Sequence, residues 1–283
     1  MEKPVIAIMY DFDKTLCTTN MQEYSFIPEI GLTADEFWSQ SNELAQDEQM
    51  DPVLSYLYLM LTESRNHRKS IRRENFVKAG EKLQFYPGVK TWFDRINQYG
   101  EEHGVSIEHY IISSGLKEII EGCEIKDAFK EIFAYEFLYD ENGVAVWPKN
   151  VVNYTTKTQI LFRINKGVMD LSDDRTVNEF TPENQRRVPF HNMIYIADGV
   201  TDVPCMKLVK VNGGYSVAVY REENEKSKDT VKELMRQDRI NLFAPADYSQ
   251  GAPLESCIKQ IIDRMQANDL LLDIYEKQKA EIQ

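Results

Sequence analysis

The chain reads as an α/β protein, a Rossmann-like, mostly parallel sheet core with an inserted α-helical cap. Three observations predict this. From about residue 85 onward, short apolar runs alternate with amphipathic helical stretches, the pattern that builds a parallel sheet. Between the first apolar run and the rest, residues 18–84 carry helical rather than strand periodicity. The loops leaving the apolar runs hold acids, hydroxyls and glycine, as the ligand-binding strand ends of open α/β sheets do. The predicted division is a core of residues 1–17 and 85–283 and a cap of residues 18–84.

The elements follow in order. Val5-Ile6-Ala7-Ile8-Met9-Tyr10 is a short β-branched run that reads as a buried parallel strand. In the cap, Thr33-Ala34-Asp35-Glu36 is a capping box, and Pro52 suits the first turn of a helix bearing Leu54, Leu57, Tyr58 and Leu61. Ser70 is expected to cap a further helix with Phe76, Val77 and Leu83, and Tyr86-Pro87-Gly88-Val89 returns the chain to the sheet. Further strands are expected at 108–112, 132–138, 192–197 and 215–220, with a hairpin over 137–147 turning at Asp140-Glu141-Asn142-Gly143. Residues 167–191 are polar and read as a surface elaboration. Cys257, Ile258, Ile261, Ile262 and Met265 have helical spacing, and the tail beyond Leu270 either lengthens that helix or pairs with another subunit.

Bulk properties narrow the function. The 283 residues suffice for a large core and a smaller second domain, and the net charge of -13 argues against nucleic-acid or anionic-membrane partners. Cys17, Cys123, Cys205 and Cys257 form no CxxC pair, which fits a reduced cytoplasmic setting. The stretch 5–10 is too short for a signal peptide or a membrane span.

Asp11-Phe12-Asp13-Lys14-Thr15-Leu16 is the strongest chemical signal. Two carboxylates at the end of a buried strand need a counter-charge, typically a hard divalent cation such as Mg²⁺. Downstream stand Ile111-Ile112-Ser113-Ser114-Gly115, then Lys157 opening an amphipathic helix, then Ala197-Asp198-Gly199-Val200-Thr201-Asp202. With these four motifs in this order, the chain resembles the haloacid dehalogenase (HAD) superfamily, in its phosphoserine-phosphatase-like branch.

The resemblance implies a Mg²⁺-dependent phosphatase acting on a small phosphorylated metabolite through an aspartyl-phosphate. Asp11 is implied as nucleophile and Asp13 as the acid–base that protonates the leaving group. Thr15, Ser113, Ser114 and Lys157 are implied as phosphate-binding, although the family carries glycine where Ser114 stands. Asp11, Asp13, Asp198 and Asp202 are implied at the metal, Asp13 by its carbonyl and Asp202 as an orienting or occasional ligand. An acid at position 13 also separates phosphatases and phosphomutases from true dehalogenases, whose leaving halide needs no proton. A phosphomutase or phosphotransferase would use the same residues, and a non-catalytic regulatory relative should have lost one of them. Lys166 is the nearby competitor of Lys157. The basic stretch Arg65, His67, Arg68, Lys69, Arg72 and Arg73 reads as a solvated surface, and Cys17 as a packing or cap-interface residue. Oligomeric state and the exact substrate are not legible.

Overall fold

A computed structural model describes residues 3–282. Its strands are β1 (Val5–Tyr10), β2 (Ser106–Leu116), β3 (Glu131–Tyr139), β4 (Ala145–Asn150), β5 (Met193–Ala197), β6 (Tyr215–Tyr220) and β7 (Leu242–Pro245). They form one sheet in the order β4-β3-β2-β1-β5-β6-β7. Every neighbouring pair is parallel except the β3–β4 hairpin. The chain builds outward from β1 on one side, then returns to build outward from β5 on the other. The order therefore reverses between β1 and β5, and the carboxyl ends there form the crevice in which such sheets bind ligands.

Alternation along β1 feeds both faces. Ile6, Ile8 and Tyr10 pack with Trp92 and Ile96 of the helix Val89–Glu102 and with Ile258 and Ile262 of the helix Pro253–Glu281. Ala7 and Met9 pack on the other face, with Ile160 and Ile164 of the helix Tyr154–Lys166 and Met206 of the helix Val203–Val211. Both faces are covered, which is why these strands are continuous apolar runs.

Residues 18–84 are helical as expected, with α-helices at Phe26–Glu29, Ala34–Asp47, Pro52–Asn66 and Arg73–Gly80. The segment leaves and rejoins the sheet through a two-stranded stalk. Thr18 N–H donates to the Gln84 carbonyl at 2.9 Å, and Tyr86 N–H to the Leu16 carbonyl at 3.0 Å. The Thr33 capping box forms, and Asp51 caps the Pro52 helix through the amides of Val53 and Leu54. Ser70 does not cap its helix, which starts at Arg73 with no side-chain cap. The chain before it is held extended against the β3–β4 turn, Ala145 N–H donating to the Ile71 carbonyl at 2.8 Å. Backbone pairing with the hairpin displaces the serine cap.

Two other departures bear on the site. β2 runs past 112 through Ser113-Ser114-Gly115 to Leu116, with an irregular register against β3. Ser113 is thus a strand residue, and the next helix opens only at Lys117. β7 is absent from the sequence reading because four residues ending in proline show no period. The segment 167–191 holds one short α-helix, Asp174–Asn178, and a 3₁₀ turn at Glu183–Gln185, and is tied down by Arg163 Nη1 to the carbonyls of Asp170 (2.6 Å) and Asp173 (3.1 Å). The C-terminal tail continues one helix to Glu281. No described helix is long and apolar enough to cross a membrane.

Candidate active site

Asp11 leaves the end of β1, yet its N–H still donates to the Ile196 carbonyl of β5 at 3.0 Å, so its carboxylate is delivered at the reversal point. The next residues make one tight turn, with Leu16 N–H donating to the Phe12 carbonyl at 2.9 Å. Lys14 lies in the left-handed region at φ 57°, a conformation costing a non-glycine residue about 1–3 kcal/mol. The turn brings Asp13 under the helical segment, where its Oδ1 accepts the Met21 N–H at 2.9 Å and faces Cys17 Sγ at 3.5 Å. Gly115 makes the close approach possible. A Cβ there would lie 2.2 Å from Met21 Cε and 3.2 Å from Asp13 Oδ2.

Lys157 is the centre of the charge arrangement. Asn153 caps its helix by accepting the Thr155 and Thr156 amides at 3.0 Å each, which places Lys157 in the buried first turns. Its Nζ donates to Asp11 Oδ1 at 2.8 Å and to Asp202 Oδ1 at 2.7 Å. Tyr195 Oη donates to the same Asp202 oxygen at 2.6 Å, and Thr201 Oγ1 to Asp202 Oδ2 at 3.1 Å. Asp198 is half-buried, and Asp11, Asp198 and Asp202 each offer an oxygen within 4.8 Å of the others. Lys166 lies outside the site, its Nζ donating to the Val177 carbonyl at 2.7 Å.

The electrostatics are unbalanced. Four carboxyl groups gather around one buried ammonium, Lys157, with the exposed Lys14 the nearest of the remaining cations. Burial, then the Asp11 charge, pushes Asp13 up to about 7. Burial, then Asp11 and Asp202, pushes Asp198 up to about 8. Burial also raises Asp11, against the pull of Lys157. For Lys157, burial alone would lower the pKa, and the carboxylates of Asp11 and Asp202 override it to raise it.

The remaining sequence candidates stand at or just beyond the same ends of β1 and β2. Ser113 is buried and its Oγ accepts the Gly115 N–H at 3.0 Å, leaving its own hydrogen free to donate. Thr15 is buried with its Oγ1 unpartnered among the described residues. The Ser114 carbonyl accepts Tyr56 Oη at 2.6 Å, and its side chain enters no hydrogen bond among those described. Sequence reasoning missed Tyr195, which stands inside an apolar strand and looks like core. It also missed Gln22, Tyr56, Glu118 and Tyr135. Burial first, then Tyr135 and Asp13, pushes the Tyr56 phenol well above its ordinary value, with Gln22 and Glu118 also in reach. Around it, Gln22 Oε1, Glu118 Oε2 and Tyr135 Oη are buried without partners among the described residues. A cleft of about 480 Å³ opens onto Asp198, lined also by Lys14, Thr18, Glu23, Tyr86 and Arg221.

A doubly covered parallel sheet with acids and a buried lysine at its reversal point has the plan of a HAD-type phosphatase. The chain belongs to the family described as Putative Phosphatase, whose profile matches residues 6–245. Among solved structures, a probable phosphoserine phosphatase of Vibrio cholerae in unliganded form superposes with a TM-score of 0.59 at 15% identity, over 94% of this chain and 67% of that one. A substrate-bound phosphoserine phosphatase complex gives 0.54 at 16% identity, over 83% of this chain and 99% of that one. A HAD family hydrolase of Salmonella enterica serovar Typhi gives 0.53 at 18% identity, over 82% of this chain and 66% of that one. At such identities the likeness is one of fold. A protein of Borreliella burgdorferi is 29% identical over 285 residues, spanning 91% of this chain and 96% of its own.

Proposed function

We propose that the protein is a Mg²⁺-dependent phosphomonoester hydrolase that acts on a small phosphorylated metabolite through an aspartyl-phosphate on Asp11. The observation that carries this is the buried Lys157 bridging Asp11 and Asp202 amid an excess of carboxylates. Lys157 keeps Asp11 ionised for in-line attack on phosphorus and offsets charge on the phosphoryl oxygens. Ser113 and Thr15, each buried with a hydroxyl hydrogen free among the described residues, are the donors assigned to those oxygens. Asp13, with its pKa near 7, holds a proton for the departing alkoxide and then takes one from the water that hydrolyses the intermediate.

The donor set fits a hard divalent cation. Asp11, Asp198 and Asp202 present oxygens within 4.8 Å of one another, and their excess charge is uncompensated by protein groups alone. These residues, with the Asp13 carbonyl, would hold Mg²⁺, which when bound supplies charge neutralisation at the phosphoryl group.

Residues 18–84 serve as a cap over this chemistry. In support, the stalk joins them to the sheet at residues 16–18 and 84–86, Met21 reaches Asp13, and Tyr56 reaches the Ser114 carbonyl. The unpaired acceptor oxygens of Gln22 and Glu118 and the unpaired Tyr135 hydroxyl favour a leaving group that carries both hydrogen-bond donors and an acceptor. Phosphoserine is the first candidate, since related folds are described as phosphoserine phosphatases. Four free cysteines support a cytoplasmic setting.

The test is phosphate release from a panel of phosphomonoesters, phosphoserine included, with Mg²⁺ and after chelation. Metal-dependent release is expected. Silence across the panel from folded, Mg²⁺-binding protein would count against hydrolysis and favour transfer to a second substrate.

A further inference from the structure

The structure divides the basic stretch of the cap into two kinds of cation. Arg73 pairs with Glu121, and Arg72 Nη1 donates to the Asn142 carbonyl at 2.9 Å. Arg65 and Arg68 enter no ion pair and no side-chain hydrogen bond among the described residues, yet both border one cleft of about 230 Å³. Lys69 borders it too, its ammonium held by the Glu29 carbonyl, which fixes the charge without neutralising it. No carboxylate lines this cleft, although acids outnumber bases 46 to 33 in the chain. The rest of its lining includes Leu61 and Ile71 from the cap and Val144 from the hairpin turn.

The backbone gives Arg68 a second claim to attention. The helix Pro52–Asn66 ends in a paired turn, with Lys69 N–H donating to the Ser64 carbonyl at 2.8 Å and Arg68 N–H to the Arg65 carbonyl at 3.1 Å. Arg68 occupies the left-handed position of that turn, at φ 53°. Glycine is the residue such a position favours, so the backbone does not call for arginine there.

We infer that this cleft binds a small phosphorylated molecule, its phosphate on Arg65, Arg68 and Lys69 and its apolar part against Leu61, Ile71 and Val144. Guanidinium groups match the oxygens of a phosphate two at a time, and three cations without an acid suit a dianion. The ligand is an effector and not the substrate. Arg65 follows Tyr56 by nine residues on one helix, roughly 13 Å along its axis, and the cleft shares no lining residue with the one at Asp198. Because the lining comes from both the cap and the hairpin, an occupant ties the two together.

Calorimetry with phenyl phosphate, and with inorganic phosphate beside it, on the chelated full-length protein tests this. One site is expected, tighter for phenyl phosphate. Arg68→Gly should weaken binding tenfold or more while melting temperature holds or rises, and Arg65→Gln should weaken it as much. Arg73→Gln removes the same net charge outside the cleft and should leave binding unchanged, and all three variants should keep wild-type phosphate release. Absence of binding, or affinity indifferent to both Arg65→Gln and Arg68→Gly, would overturn the inference. So would an equal loss in Arg73→Gln, the mark of a diffuse field, or binding to anionic phospholipid vesicles without binding of phenyl phosphate.

Discussion

Tyr10 and Asp11 are neighbours in sequence, yet they anchor two buried polar groups of opposite character. Tyr10 Oη accepts from Trp92 Nε1 at 2.8 Å and pairs with His109 Nδ1 at 3.0 Å, and His109 Nε2 meets Asn97 Oδ1 at 3.0 Å. That network is neutral and its groups are paired, so it costs little to bury and helps specify how β1 and β2 meet. One residue later, Asp11 joins three more carboxyls around a single buried lysine, and the neighbouring Thr15 hydroxyl is left unpartnered among the described residues. Burial alone does not explain function. Buried charge that the protein does not balance itself points to a ligand that balances it.

The largest effect should come from Asp11→Asn. If the site works as proposed, turnover falls on the order of 10⁴-fold or more while the melting temperature of the metal-free protein holds or rises. Asp13→Asn should cost about 10²–10⁴-fold with alkyl phosphates and far less with p-nitrophenyl phosphate, whose leaving group needs no proton. Equal losses on both substrates would remove Asp13 from the acid role.

Stability should separate the two regions next. Asp198 has its pKa raised from 3.8 to about 8, so it contributes most below about pH 4 and loses that contribution as pH rises toward 8. Asp198→Asn should therefore stabilise the metal-free protein at pH 8 and erase the rise in melting temperature that Mg²⁺ gives the wild type. His109 has the opposite sign. Burial lowers its pKa from 6.5 to about 3, so it costs stability as pH falls below 6.5, at up to about 1.4 kcal/mol per unit. His109→Gln should flatten that acid limb and leave Mg²⁺ binding intact.

The smallest effect sharpens the contrast from the neutral side. Tyr10→Phe strands Trp92 Nε1–H and one nitrogen of His109, and should cost about 1–3 kcal/mol in denaturant unfolding. Phosphate release should not change. A large loss of turnover would mean that the network feeds the site after all.

The two regions were also unequally legible. Asp11, Asp13, Asp198 and Asp202 stand at the ends of apolar runs, where local pattern fixes both strand and strand end. Lys157 stands out from Lys166 in the sequence only by its place in the motif order; nine residues at about 100° each set the two on opposite helix faces, and only the fold shows which face meets Asp11. The strand 108–112 was read short, since Ser113, Ser114 and Gly115 look like a turn until β3 pairs alongside. Tyr195, Tyr56, Gln22 and Glu118 were invisible for a different reason. The contacts of Tyr56, Gln22 and Glu118 lie distant in sequence, and although Tyr195 meets Asp202 only seven residues on, no local period marks a tyrosine in an apolar strand as a carboxylate's partner. His109 and Tyr10 were hidden likewise, so the structural network was harder to read than the reactive one.

The most direct test of the account is to quench the turning-over protein and reduce it with borohydride, which converts an aspartyl-phosphate to homoserine. Peptide mass spectrometry should then find homoserine at position 11, dependent on substrate and absent from Asp11→Asn. Active turnover with Asp11 unmodified, or homoserine at another aspartate, would contradict it.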